Sequence, residues 1–298
     1  MPDEADAWRV SPKQLLDERN LRPRKRFGQN FLTDPAVADR IARDLPASAG
    51  VIEIGGGTGT LTAALARTAQ RLIVVEIDRD LTALLQERFA PRGDAIRILS
   101  ADALSLDYAA ELEALPRPRA VVGNLPYYIT TPLLERILET ACLWDRAVLM
   151  VQREYARRLL AAPGSADYSS LTVFASYFST LAKVFDVGAS GFYPAPKVAS
   201  TVVALTPHRR PEADPVVERL FLALVRASFA HRRKTLVNSL LDEIPGESGE
   251  RRKTVEAALA EAQLHPLVRA ERLSLEDFLR LSAGLARLGF ESAVFRRG

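Results

Sequence analysis

"VIEIGGGTGT", residues 51–60, is an apolar run that breaks abruptly into glycines. Its Val and Ile residues suit a buried strand, and Gly55, Gly57 and Gly59 recur at every second position after it. Glycine lets a backbone turn sharply and approach a ligand closely, so the stretch reads as a strand, a ligand-cradling turn and the start of a helix. The dinucleotide pattern G-x-G-x-x-G fails, because the positions that need its last glycine are Thr60 and Thr62. The phosphate-loop pattern fails too, since no Gly-Lys-Ser/Thr follows. What remains is E-x-G-x-G-x-G, led by Glu53.

Outward from this turn, strands and helices alternate. A helix is expected over 35–44, with Asp34 as its cap and Pro35 in its first position. Downstream, "TLTAALART" reads as helix, "RLIVVEID" as strand, "RDLTALLQERF" as helix and "AIRILSAD" as strand. "RAVVGNLPY" and "RAVLMVQ" are strands around the helix "TPLLERILETA", with further strands expected at 181–187 and 199–206. Val- and Ile-rich strands alternating with helices imply an α/β fold with a doubly wound parallel sheet. Past "TPHRRPEADP" apolar residues take helical spacing over 215–290 and no strand run appears. The chain is therefore expected to hold an N-terminal extension at 1–20 with a helix at 12–19, an α/β domain at 21–206 and a small all-helical domain at 207–298. A linker falls at about 206–214, and an exposed loop between helices at 244–253.

Two acids stand at strand ends. Glu76 closes the second strand, where a carboxylate can accept both ribose hydroxyls of an adenosine-type ligand. Asp102 follows the third, placed to contact the adenine ring. Together with the Gly55 and Gly57 loop they fit S-adenosylmethionine better than a nicotinamide dinucleotide. The competing reading is a tight turn beside surface acids.

"NLPYYIT", residues 124–130, follows the fourth strand at the same sheet edge. The lone pair of an adenine amino group is delocalised into the ring, which makes it a poor nucleophile. Two acceptors on its N–H groups, the Asn124 side-chain oxygen and the Leu125 carbonyl, would aim that lone pair at a sulfonium methyl. Pro126 stiffens the turn and Tyr127 offers a face for the base. Positioning and charge complementarity then supply the rate without a strong base. In "GFYPAPKVAS" (191–200), Phe192 is a candidate for the other face of an extruded base, against a simpler role as a core aromatic.

"RPRKRFGQNF" carries Arg24, Lys25 and Arg26 beside phenylalanines, and "FAHRRKTLVNSL" carries Arg232, Arg233 and Lys234. Basic residues beside aromatics suit phosphate contact and base stacking, so both clusters are read as RNA contacts flanking the site. His208 and His265 receive no role. The net charge of +3 does not by itself point to nucleic acid. The single cysteine, Cys142, allows no intrachain disulfide and is expected to be a small buried residue. No Cys/His cluster has zinc spacing, so no metal is expected. No apolar run is long enough to cross a bilayer and the acidic start lacks a secretion signal, so a cytoplasmic protein with no membrane partner is expected.

"KRFGQNFL", "EIGGGTGTLT", "VEID", "ADAL", "NLPYYITTPL", "FYPAPKVAST" and "RRKTLVNSL", in that order, resemble the KsgA family, the adenine dimethylases of small-subunit ribosomal RNA. The resemblance spans roughly 21–290. It implies a Rossmann-like S-adenosylmethionine-dependent methyltransferase sheet with a C-terminal helical domain. It implies two methyl transfers to N6 of each of two adjacent adenosines in the 3′-terminal hairpin loop of 16S rRNA, within the immature small ribosomal subunit, by a monomer. Carried over onto this chain, cofactor contacts fall on Asn30, Leu32, Gly55, Glu76, Asp102 and Asn124, and base handling on Asn124, Tyr127 and Phe192. The family often has proline where this chain has Gly56, which implies a looser loop, and many relatives carry asparagine where Tyr128 stands. The related Erm family, which methylates large-subunit RNA, is the alternative, along with a non-catalytic ribosome-assembly factor on the same scaffold.

Overall fold

The computed structural model describes residues 10–208, 215–243 and 248–290. Residues 1–9 of the expected extension at 1–20, most of the linker (209–214), part of the loop at 244–253 (244–247) and the end of the expected helical domain (291–298) lie outside these residues. Packing divides the chain into two units, one of residues up to 156 with 178–208, the other of 157–177 with 209 onwards. The sequence reading ran one domain through 21–206, whereas packing groups 157–177 with the C-terminal helices.

The first unit begins with α1 (Pro12–Glu18), a short strand β1 (Phe31–Leu32) and α2 (Pro35–Arg43). Asp34 caps α2 by accepting the Ala36 N–H at 2.9 Å. Then come β2 (Gly50–Ile54), α3 (Thr60–Leu65), β3 (Arg71–Glu76), α4 (Arg79–Phe89), β4 (Ile96–Ser100), α5 (Tyr108–Glu113), β5 (Arg119–Asn124), α6 (Thr130–Glu139) and β6 (Arg146–Gln152). After α7 (Arg153–Leu159) and α8 (Ser170–Phe178) the sheet resumes with β7 (Ser179–Val187), β8 (Phe192–Tyr193) and β9 (Ser200–Pro207). The sequence reading assigned nothing between β6 and β7.

Seven strands form the sheet in the order β4-β3-β2-β5-β6-β9-β7. β4, β3, β2, β5 and β6 pair in parallel, while β9 runs antiparallel to both β6 and β7. The expected all-parallel sheet is thus corrected to a mixed one. The cause is the short connection over 188–199, which holds no crossover helix to return the chain to the same edge. β1 and β8 form a separate antiparallel ribbon that pairs Leu32 with Phe192 and Phe31 with Tyr193. β2 is buried along its whole length, so its side chains must be apolar or specially accommodated.

The second unit holds α9 (Pro215–Phe229), α10 (Leu236–Glu243), α11 (Ser248–Glu261) and α12 (Leu275–Arg287). Within it Tyr177 stacks on Phe221 at 4.4 Å between ring centroids, and the Tyr168 hydroxyl donates to the Leu273 carbonyl at 2.8 Å. A Ser274–Asp277 capping box starts α12. Residues 248–253, expected in a loop, open α11 instead, where Arg252 pairs with Glu256 one turn on at 3.2 Å. Cys142 is exposed rather than buried, because Ala141 and Trp144 fill the space under that turn.

Candidate functional site

The strand order reverses between β2 and its neighbours β3 and β5. In such a sheet the loops after the two central strands part, and a crevice opens at their carboxyl ends. Here the crevice opens to solvent and is lined by apolar side chains with a few convergent polar groups, as a small-ligand site requires. Its walls are the loops after β2, β3, β4 and β5, with segment 27–32 across them.

The β2 loop is shaped by its backbone. Gly57 sits at φ +56° and donates its N–H to Glu76 Oε2 at 2.9 Å. A side chain there would be strained by that φ and would press on the Phe31 ring, 3.0 Å from its Cβ. Gly56 is buried, and a Cβ on it would stand 2.4 Å from Val74 Cγ1 and 2.8 Å from Leu85 Cδ1. The missing side chain at Gly56 lets the loop pack directly against β3 and α4.

Glu76 is only 6% exposed and accepts the Asp78 N–H on Oε1 at 2.9 Å, besides Gly57 on Oε2. Burial pushes its pKa up; the two backbone N–H groups pull it back, and the charge of Asp78 raises it again. Each oxygen keeps a lone pair, enough for two ribose hydroxyls. Asp102 accepts the Leu104 N–H on Oδ1 at 2.9 Å and lines the same wall.

The β5 loop is shaped by side chains. Asn124 donates Nδ2–H to the Asn30 carbonyl at 2.9 Å. That commits the amide nitrogen and leaves Oδ1 as an acceptor in the cleft. The Leu125 N–H continues the β5–β6 pairing to Met150 at 3.0 Å, and among the described residues no donor takes the Leu125 carbonyl. Thr130 ties the Pro126 carbonyl at 2.9 Å, and the Tyr127 hydroxyl lies 3.1 Å from Ser200 Oγ on β9. Asn124, Leu125, Pro126 and Tyr127 all line the cleft, as do Asn30, Leu32, Gly55, Gly57, Glu76 and Asp102.

Phe192 is not brought there. It is 4% exposed within the core beside Leu32, because its β8 pairing turns it into the sheet's packing. Its placement is that of a core aromatic. The basic residues separate in a similar way. Arg24 pairs with Asp78 at 2.7 Å and with Asp80, Arg232 donates to the Ala166 carbonyl, and Lys234 pairs with Asp242. Arg26 lies exposed over the Phe27 ring at 4.6 Å and Arg233 is exposed in the turn before α10. Lys25 is in the single helical turn Lys25–Phe27.

Three lining residues escaped assignment from sequence. Glu53 is fully buried in β2, with both carboxylate oxygens lacking a hydrogen-bond partner. Burial pushes its pKa up to about 8; the nearby Thr62 hydroxyl lowers it somewhat, without a bond of good geometry, and the Glu76 charge raises it. The available signal was a charged residue inside an otherwise apolar strand. Ile77 and Tyr128 are large apolar side chains left 40% and 56% exposed beside the cleft. Exposed rings and branched chains at a ligand mouth suit a flat partner.

Comparisons place these features among known proteins. A profile of the family described as ribosomal RNA adenine dimethylase matches residues 20–286. Ribosomal RNA small subunit methyltransferase A of Leuconostoc mesenteroides is 41% identical, covering 91% of this chain and 92% of that protein. The protein of the same name from Moorella thermoacetica is also 41% identical, covering 91% and 95%. Among solved structures, a dimethyladenosine transferase from Plasmodium falciparum superposes with a TM-score of 0.75 at 28% identity, covering 88% of this chain and 99% of that one. The 23S rRNA methyltransferase ErmE gives 0.64 at 30% identity, covering 86% and all of that chain.

Proposed function

The chain belongs to the ribosomal RNA adenine dimethylase family, and from that premise we propose which residues carry the chemistry and which RNA they meet. It is an rRNA adenine N6,N6-dimethyltransferase that uses S-adenosylmethionine. The chain's own residues suit that cofactor. Glu53 is a buried carboxyl with no partner, ready for a cationic group, and Glu76 has lone pairs to spare for a ribose. S-adenosylmethionine supplies an electrophilic methyl on a positively charged sulfur. Gly55 and Gly57 would give it a close-fitting backbone floor, Asp102 and Ile77 would flank its adenine, and Asn30 and Leu32 would cover it.

One observation carries the assignment of the transfer site: the Asn124 amide nitrogen is held by the Asn30 carbonyl, so its oxygen faces the cleft as an acceptor. Asn124 Oδ1 and the Leu125 carbonyl take the two N–H groups of an adenine amine. Their pull favours pyramidal nitrogen and frees the lone pair for the methyl. As the N–C bond formed, the S–C bond would break and leave the neutral thioether S-adenosylhomocysteine; the amine would become a cation and shed a proton to water, so no side-chain base is needed. After the first transfer one N–H remains, and either acceptor holds it while the second methyl is added. Tyr127, its hydroxyl fixed by Ser200, presents a ring to the base. Phe192, in the core, takes no part.

The substrate proposed is the pair of adjacent adenosines in the 3′-terminal hairpin loop of 16S rRNA, met by a monomer in the immature small subunit. The names of the relatives at 41% identity support the small subunit over the large. Arg26 and Arg233, exposed and with no carboxylate partner among the described residues, are the best placed of the basic residues for phosphate contact. Among the described residues no helix is long and apolar enough to cross a membrane; the cytoplasmic location proposed rests on the ribosomal RNA substrate. The test offers labelled methyl donor with undermethylated small subunits and immature large subunits. Label should enter two adjacent adenosines of the small-subunit RNA; label confined to the large subunit would overturn this reading.

A further inference from the structure

Segment 24–31 crosses the cleft as a strap whose hydrogen bonds join its two walls. On the ribose side, Asp78 lies two residues past Glu76 and its side chain is 4% exposed. Its Oδ1 accepts the Asp80 N–H at 3.2 Å as the cap of α4 and the Arg24 Nη1–H at 2.7 Å. A cap requires only one carboxylate oxygen; the other, Oδ2, accepts the Gln29 Nε2–H at 3.0 Å. The Gln29 amide cannot turn over freely, because its Oε1 accepts the Arg24 backbone N–H at 2.7 Å. On the base side, the next residue, Asn30, presents its carbonyl to Asn124 Nδ2 at 2.9 Å. Gly28 lies against the Tyr128 ring, so closely that a Cβ would come within 3.3 Å of it.

We propose that Gln29, held between Asp78 and Arg24, is a positioning residue for methyl transfer: it places the Asn30 carbonyl and thereby fixes which way the Asn124 amide points. An asparagine amide presents an acceptor on one side and two donors on the other. Against a fixed carbonyl only the donor side fits, so the oxygen is left for the substrate. With the strap displaced, the amide turns over and meets the adenine amine donor to donor. The same strap lines the cofactor's half of the cleft from Phe27 to Leu32, so its position sets cofactor affinity as well. The inference rests on the assignment of Asn124 as the acceptor.

The test is Gln29→Ala in the full chain, which leaves the α4 cap in place. Losing one hydrogen bond to a charged group is expected to raise the dissociation constant for S-adenosylhomocysteine about tenfold, read by calorimetry. Amide hydrogen exchange in 24–31 of the ligand-free protein should quicken by about the same factor while β2 and β5 are unchanged. At saturating cofactor kcat should fall about tenfold, yet in single-turnover reactions the substitution should cost nothing further on an Asn124→Ala background. Asp78→Asn, whose single oxygen keeps the cap and so turns an NH2 toward Gln29 Nε2, should lose at least as much as Gln29→Ala. Unchanged affinity and exchange in Gln29→Ala, or an equal further loss on the Asn124→Ala background, would overturn the proposal while leaving Asn124 as the acceptor. Normal turnover by Asn124→Ala alone would overturn both.

Discussion

After β2 the chain leaves the sheet as Gly55–Gly59, and after β5 it leaves as Asn124–Ile129. The two loops face each other across one cleft but are made differently. The first has almost no side chains, and its shape comes from positive-φ glycines and the N–H that Gly57 gives to Glu76. The second is shaped by side-chain bonds, Asn124 to Asn30, Thr130 to Pro126 and Tyr127 to Ser200. The first loop keeps an unmatched carboxyl behind it, Glu53, and the second keeps unmatched acceptors in front, Asn124 Oδ1 and the Leu125 carbonyl. A buried carboxyl that can give up its proton suits a cation that stays through the reaction; unmatched neutral acceptors suit an amine whose hydrogens are replaced one at a time.

If that contrast holds, the largest loss follows from removing a neutral acceptor. Asn124→Ala should lower kcat by about a hundredfold to a thousandfold, the usual cost of one well-placed polar group aimed at the reacting atom. The side chain lies at the surface end of β5, so thermal unfolding should change little. S-adenosylhomocysteine should bind Asn124→Ala with its affinity lowered far less than kcat. A parallel fall in both would place Asn124 on the cofactor's side and erase the contrast between the loops.

On the other wall, Glu53→Gln breaks the match with a cation and should weaken cofactor binding about tenfold by removing one charge-assisted contact. The same residue gives a pH signature. Its folded pKa of about 8 lies above the ordinary carboxylate value of 4.5, so between the two the folded protein holds a proton that the unfolded chain has released. Stability from this group is complete below 4.5 and is lost as the pH rises through about 8. The melting temperature of the ligand-free protein should therefore decline from pH 5 to 8. Glu53→Gln should reduce that slope without abolishing it, because Glu76 is shifted in the same direction. An unaltered slope would mean that Glu53 is ionised in the empty cleft.

The unequal construction also governs what a sequence reader can see. The glycine loop and the acids at Glu76 and Asp102 were legible because parallel strands buried on both faces read as Val/Ile runs with abrupt ends. The reversal of β9 was not, since a strand's direction depends on the connection before it and not on its own residues. α8, "SLTVFASYF", is apolar, β-branched and aromatic throughout, and shows no helical stripe to set it apart. Asn124 was legible as an acceptor, but its orientation depends on a carbonyl 94 residues away. Tyr127 and Phe192 both lie within two residues of a proline, and only the β1–β8 pairing decides that one faces the cleft and the other the core. Basic runs likewise announce charge, while the carboxylates that neutralise Arg24 and Lys234 lie outside those runs, 54 and 8 residues on.

The smallest effect separates holding a ring from gripping an amine. Tyr127→Phe keeps the aromatic face and removes only the hydroxyl that meets Ser200. One neutral hydrogen bond is worth about 1 kcal/mol, so kcat/KM on RNA should fall roughly fivefold. Ser200→Ala should cost about the same. The double variant should cost no more than either single one, because both remove the same bond. If Tyr127 stacks on the base, Tyr127→Ala must cost far more than Tyr127→Phe, since base–aromatic stacking contributes about 1–3 kcal/mol. Equal losses in the two variants would mean that the ring serves only to carry the hydroxyl to β9, and the base would then have to be held by other residues of the cleft, such as the exposed ring of Tyr128.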